Sequence, residues 1–113
     1  MDKIYLEKKQ DKLTRKIYRL LKERFPDLPD EIEKVVYRYW RTLIKVRVVE
    51  ASFARKTFLE REAMIEDIID SLPEIERNSI SVLMLLTPKE ANDKSDIMNL
   101  EFDHPELLYR GRG

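Results

Sequence analysis

No glycine precedes Gly111, and between Pro29 and Pro73 the chain carries neither of the two residues that most readily interrupt regular structure. Within that span, Asp30–Phe58 holds the single tryptophan. Its apolar residues recur at helical spacing: Ile32, Val36, Tyr39, Leu43 and Val46, with Val35, Trp40 and Ile44 widening the stripe. That pattern predicts a buried amphipathic helix. An unbroken helix reaching Pro73 would hold about 44 residues and run roughly 65 Å. A chain of 113 residues cannot cover such a rod alone, so the helix either breaks or projects towards a partner, and a break is favoured. The reading therefore places a kink or break between residues 50 and 60, after the β-branched Val46, Val48 and Val49 and at Ser52, which can bond back to the backbone.

The flanking segments read as helical too. Leu13, Ile17, Leu20 and Leu21 predict a first helix over residues 3–25, ended by Phe25-Pro26. Pro29 suits a first helical turn, and Asp30 with Glu33 has capping-box spacing. Leu59, Met64, Ile65, Ile68, Ile69 and Leu72 form another apolar stripe, with Glu62, Glu66, Asp67 and Asp70 on the opposite, solvated side. Pro73 opens a last helix whose run Ile80–Leu86 is apolar nearly all round, hence core or an intersubunit surface. A buried strand produces the same run, but Met84 and three leucines favour helix. Residues 89–97 read as a linker, and Met98, Leu100 and Phe102 alternate as a short strand would. Leu107, Leu108 and Tyr109 form a small apolar cluster suited to docking the tail. The expected architecture is all-α: a four-helix bundle-like domain over 1–88 with one or two long helices, then a linker and short extended tail over 89–113.

The residue inventory excludes most chemistry. There is no cysteine, and His104 is the sole histidine, so thiolate catalysis and two-histidine metal sites are out. Phosphate-cradling loops need glycines that are absent here. The expectation is a chain with no catalytic, cofactor-binding or metal-binding residues, and so not an enzyme. No apolar run approaches a membrane span and no signal-peptide core is visible, which points to a cytoplasmic protein. Charged residues at 39%, one glutamine and no cysteine lean towards a thermophile.

A formal net charge of zero conceals two unequal halves. Residues 1–61 hold 17 basic against 10 acidic residues, and residues 62–113 hold 5 against 12. Arg38, Arg41 and Lys45 fall three and four apart on the expected helix, with Arg55 and Lys56 beyond. Such a stripe can neutralise nucleic-acid phosphates or meet an acidic partner. The plainer account pairs these cations with the acidic half, within the fold or across subunits.

The stretch Asp30-Glu31-Ile32, Val35-Val36, Trp40, Ile44-Lys45-Val46-Arg47-Val48 and Ala51-Ser52-Phe53 resembles the helical domain of GINS subunits, which bridge parts of the replicative helicase in archaea and eukaryotes. The likeness spans about residues 13–86. The chain departs from the family after Pro88, where 25 residues are too few for the β-domain that GINS subunits commonly carry. The resemblance implies a non-enzymatic scaffold working through helix–helix interfaces at Tyr39, Trp40, Leu43, Arg47, Ile80, Leu83 and Leu86. It implies other GINS subunits, the MCM ring and a RecJ-like protein as partners, in a hetero- or homo-oligomer with a nucleoid association. The alternative is a small helical nucleic-acid-binding or regulatory protein using its basic face on DNA.

Overall fold

The computed structural model describes residues 8–105. Its first helix, α1 (Lys12–Arg24), opens on a reciprocal cap. The Asp11 carboxylate accepts the Thr14 N–H at 3.0 Å, and the Thr14 hydroxyl accepts the Asp11 N–H at 2.8 Å. Ile17 and Leu21 are buried one turn apart, and the helix stops at Phe25, before Pro26. Asp11 also takes the Arg38 guanidinium. Burial alone would raise the Asp11 pKa, but the bonds from Arg38 and Thr14 outweigh it and hold the carboxyl below its usual value. Asp11→Ala should therefore cost about 1–2 kcal/mol, seen as a lower urea midpoint at unchanged slope.

The tryptophan-bearing stretch is not a helix. After a 3-10 turn at Ile32–Lys34 it forms an antiparallel hairpin of β1 (Val36–Trp40) and β2 (Leu43–Val49), in register Val36↔Val46, Tyr37↔Lys45 and Arg38↔Ile44. Arg41-Thr42 makes the connection. The all-α bundle is thereby corrected to an α/β fold. The physical reason lies in β2: Ile44, Val46 and Val48 are β-branched, stand two apart and are fully buried, while Lys45 and Arg47 point to the other face. A helix would scatter those two sets around its circumference.

The second correction is Ile80–Leu86. It is β3, an edge strand parallel to β2, with Val46↔Leu83 and Val48↔Leu85 opposite each other. A strand covered on both faces reads as one continuous apolar run. Register shifts between Ile44 and Lys45, leaving Ser81 as an extra residue between Ile80 and Val82. The crossover from β2 to β3 holds a 3-10 turn at Ala51–Phe53 and three short helices, α2 (Phe58–Ala63), α3 (Glu66–Asp70) and α4 (Glu74–Asn78). No long helix spans it.

Both faces of the sheet are covered. On the first, Val36, Ile44, Val46, Val48 and Leu85 pack with Ile17, Leu21 and Phe25 of the N-terminal region and with Phe53, Ile65, Ile68 and Leu72 of the crossover. On the second, Tyr37 and Met84 pack on Phe102 of α6 (Ile97–Asp103). The Tyr37 hydroxyl donates to the Phe102 carbonyl, and the two rings meet edge-on at 5.0 Å. The strand expected over residues 98–102 is thus this helix, started by Asp96, whose side chain accepts the Met98 N–H. The stretch 89–97 contains most of α5 (Pro88–Ala91), capped by Thr87. Leu107, Leu108 and Tyr109 lie outside the described residues.

Candidate functional site

The structure divides the residues expected at subunit interfaces between the two sheet faces. Ile80 and Leu83 border the first-face core, whereas Tyr39 and Leu86 border the second. Trp40 and Leu43 pair across the end of the hairpin, both half-buried. Arg47 lies on the second face, its guanidinium carbon 4.3 Å from the Phe102 ring centre. These residues line no shared helix ridge.

The basic stripe dissolves in the same way. Arg38 binds Asp11 and the Arg41 carbonyl. Lys45 is buried at 4% exposure, with its Nζ 4.7 Å from the centre of the Tyr39 ring and donating to the Glu101 carbonyl at 3.3 Å. Burial pushes its pKa down from the usual lysine value, with nearby Lys8 acting in the same direction and Glu101 opposing. Arg41, Arg55 and Lys56 are exposed, and Arg55 adopts a left-handed backbone with φ of 63°. The acidic half supplies partners to the basic half: Lys16–Glu76 at 2.8 Å, Arg24–Asp67 at 2.6 Å, Arg47–Asp103 at 3.1 Å and Arg61–Glu90 at 2.6 Å. The charge asymmetry along the chain is in this part internal.

Two of the recesses among the described residues bear on function. One is a shallow groove of about 290 Å³ beside the edge strand, lined by Leu59, Ala63, Ile69 and Leu83 and bordered by Glu62, Glu66 and Asp70. Leu59 is 74% exposed there, and Phe58 next to it is 48% exposed. The carboxylates expected on the solvated side, Glu62, Glu66, Asp67 and Asp70, are all exposed, and Glu62, Glu66 and Asp70 border this groove together with apolar residues. This follows because α2 and α3 are separate short helices with a turn at Met64-Ile65 between them. The other recess, of about 600 Å³, lies between Arg47, α6 and the residues joining α5 to α6, with Lys8, Lys34 and Lys94 around it. The groove is lined mostly by residues 59–70, joined by Leu83 of β3, whereas the larger recess arises where chain-distant elements meet.

Among the described residues no group of three or more histidine, cysteine or acidic side chains stands close enough to hold a metal ion. No helix among them is long and apolar enough to cross a membrane. No family model, curated protein or solved structure matches the chain.

Proposed function

We propose that this chain is a non-catalytic protein-docking domain whose groove beside β3 receives a basic, amphipathic segment of a partner protein. The observation that carries the reading is the groove's composition. Apolar Leu59, Ala63, Ile69 and Leu83 offer anchoring surface, and Glu62, Glu66 and Asp70 supply a border of one sign. Large exposed apolar residues beside a one-sign border are the form of a helix-in-groove or extended-peptide site. The border selects a cationic partner and speeds its encounter, and the apolar contacts set its lifetime. A nucleic acid is the wrong sign for this surface. Of the basic stripe, Arg38 is engaged by Asp11 and Lys45 is buried, while Arg41, Arg55 and Lys56 are exposed.

This proposal keeps only the coarser part of the scaffold expectation, work done by binding proteins. The helix–helix interfaces implied by the GINS resemblance have no counterpart, because Val36, Trp40 and Ile44–Val48, which carry much of it, lie in a hairpin, and Ala51–Phe53 in a 3-10 turn. Co-purification from the native host is the direct way to ask whether other GINS subunits, the MCM ring or a RecJ-like protein are its partners.

The groove itself is tested by fluorescence titration with a leucine–lysine amphipathic peptide and a leucine–glutamate control of the same apolar pattern. The basic peptide should bind at least about tenfold more tightly, a difference of about 1.4 kcal/mol. Leu59→Ser should weaken it by a similar factor, and Glu62→Lys with Glu66→Lys should remove the preference for the basic peptide. Equal binding of both peptides, or binding untouched by these changes, would refute the proposal.

A further inference from the structure

Arg47 presents an imbalance that the fold does not resolve. Its side chain is 11% exposed. A guanidinium carries five N–H donors. Nη2 meets Asp103 at 3.1 Å and the Lys34 carbonyl at 3.4 Å, which accounts for two of them. Nε and Nη1, carrying the other three, are buried and meet no acceptor. The Phe102 ring takes the flat face of the group but cannot satisfy its edge. The carboxylate opposite is not a full answer to a buried cation, since Asp103 is 46% exposed. Beside it Asn99, 4% exposed, donates to the Glu90 and Asp93 carbonyls and leaves its own Oδ1 buried and unpaired. Leaving such groups unmatched costs about 1–3 kcal/mol each, more for charged groups.

These orphaned atoms belong to residues that line the 600 Å³ recess. The other charges there are Lys8, Lys34 and Lys94 against Asp93 and Asp103, with His104 also at the wall. Lys34 is held by Glu31 at 2.7 Å, Asp93 accepts from Ser95, and Asp103 is engaged by Arg47. The recess is thus lined by four cations, Arg47, Lys8, Lys34 and Lys94, to two carboxylates.

We propose that this recess is a binding site for a small molecule bearing an oxyanion, a phosphate or a carboxylate, whose oxygens accept the unused N–H groups of Arg47. The Asn99 amide oxygen, an acceptor, would take a hydroxyl or amine elsewhere on the same ligand. A point cation suffices to attract an anion, but the flat, multi-donor guanidinium also orients one. The site is independent of the groove beside β3, which shares none of its lining residues.

Titration with inorganic phosphate and, separately, acetate, followed by the Nε–H resonance of Arg47 and the side-chain amide of Asn99, tests this. Saturable shifts of both signals by at least one anion are expected, and the anion that saturates first assigns the headgroup. Arg47→Lys should weaken binding by about tenfold. Should that variant not fold, Lys34→Gln, at a side chain 57% exposed, should still weaken binding by about threefold. Two results would overturn the site: no saturable shift with either anion, or shifts confined to exposed lysines with Arg47 unmoved. The second would mean that the guanidinium is satisfied by internal water.

Discussion

Phe102→Ala should be the most damaging single truncation on the second face of the sheet, costing about 3–5 kcal/mol. Folded domains hold a total of about 5–15 kcal/mol, so the loss would consume much of it. The ring is 1% exposed, packs edge-on against Tyr37, and lies over the Arg47 guanidinium. Its removal leaves a cavity under α6 and a cation without its flat partner. The result should go beyond a lower unfolding midpoint. α6 is seven residues long and too short to persist in water without packing. Its amides should exchange rapidly in the variant while those of α1 and β2 stay protected, and the urea slope should fall because part of the chain is already exposed. Phe102→Leu, which keeps most of the volume, should lose less than half as much. Uniform loss of protection throughout the domain would contradict the view that α6 is a separately docked element.

Arg61→Ala should cost about 2–4 kcal/mol, although its ion pair would suggest less. Arg61 is a buried strut at the end of the edge strand. It donates to the Leu85 carbonyl at 2.7 Å, to the Lys56 carbonyl at 3.0 Å and to both oxygens of Glu90, at 2.6 and 3.2 Å. The alanine variant leaves the Leu85 and Lys56 carbonyls without this donor, and this dominates the loss. Glu90, 45% exposed, is easily rehydrated. The pH dependence separates the two contributions. The Arg61 hydrogen bonds, aided by the Thr87 N–H, lower the Glu90 pKa from 4.5 to about 2. A depressed carboxyl stabilises the fold fully above its unfolded value and progressively less as pH falls through its folded value. The stability gap between wild type and variant should accordingly be constant above pH 4.5 and narrow between 4.5 and about 2. Solvent screening of so exposed a carboxylate limits that narrowing to about 1 kcal/mol or less. Guanidine melts across this range, with matched salt, measure it.

What could be read from the sequence was local. The body and end of α1 follow from its apolar spacing and from Pro26, but the helix expected over residues 3–25 does not include residues 8–11: it opens at Lys12, on the Asp11–Thr14 cap that apolar spacing does not reveal. The apolar stripe over residues 59–72 does mark helices, but as α2 and α3 with a turn between them. The hairpin was hidden by coincidence. Val36, Tyr39, Leu43 and Val46 satisfy a period of 3.6, while Ile44, Val46 and Val48 against Lys45 and Arg47 satisfy a period of 2. The usual tie-breaker, Asn-Gly or Asp-Gly at the turn, is missing, because Arg41-Thr42 makes it. Ile80–Leu86 was ambiguous for a different reason: its cover on both faces comes from residues far away in the chain. The recess around Arg47 shares that origin. Arg47 and Asn99 are separated by more than fifty positions, and no spacing rule connects them.

The parallel pairing of β2 with β3 also dictates an order of assembly. β1 and β2 can meet as soon as both exist, since two residues separate them. β3 must wait until the thirty residues after Val49 have been made and folded back, a distant closure that forms slowly. A nascent chain halted short of Ile80 would therefore display a hairpin with Val46 and Val48 lacking their neighbours and an unpaired strand margin offered to any other polypeptide. Isolated hairpins are marginal in water, so this chain's most vulnerable moment comes during its own synthesis and ends when its last strand is added.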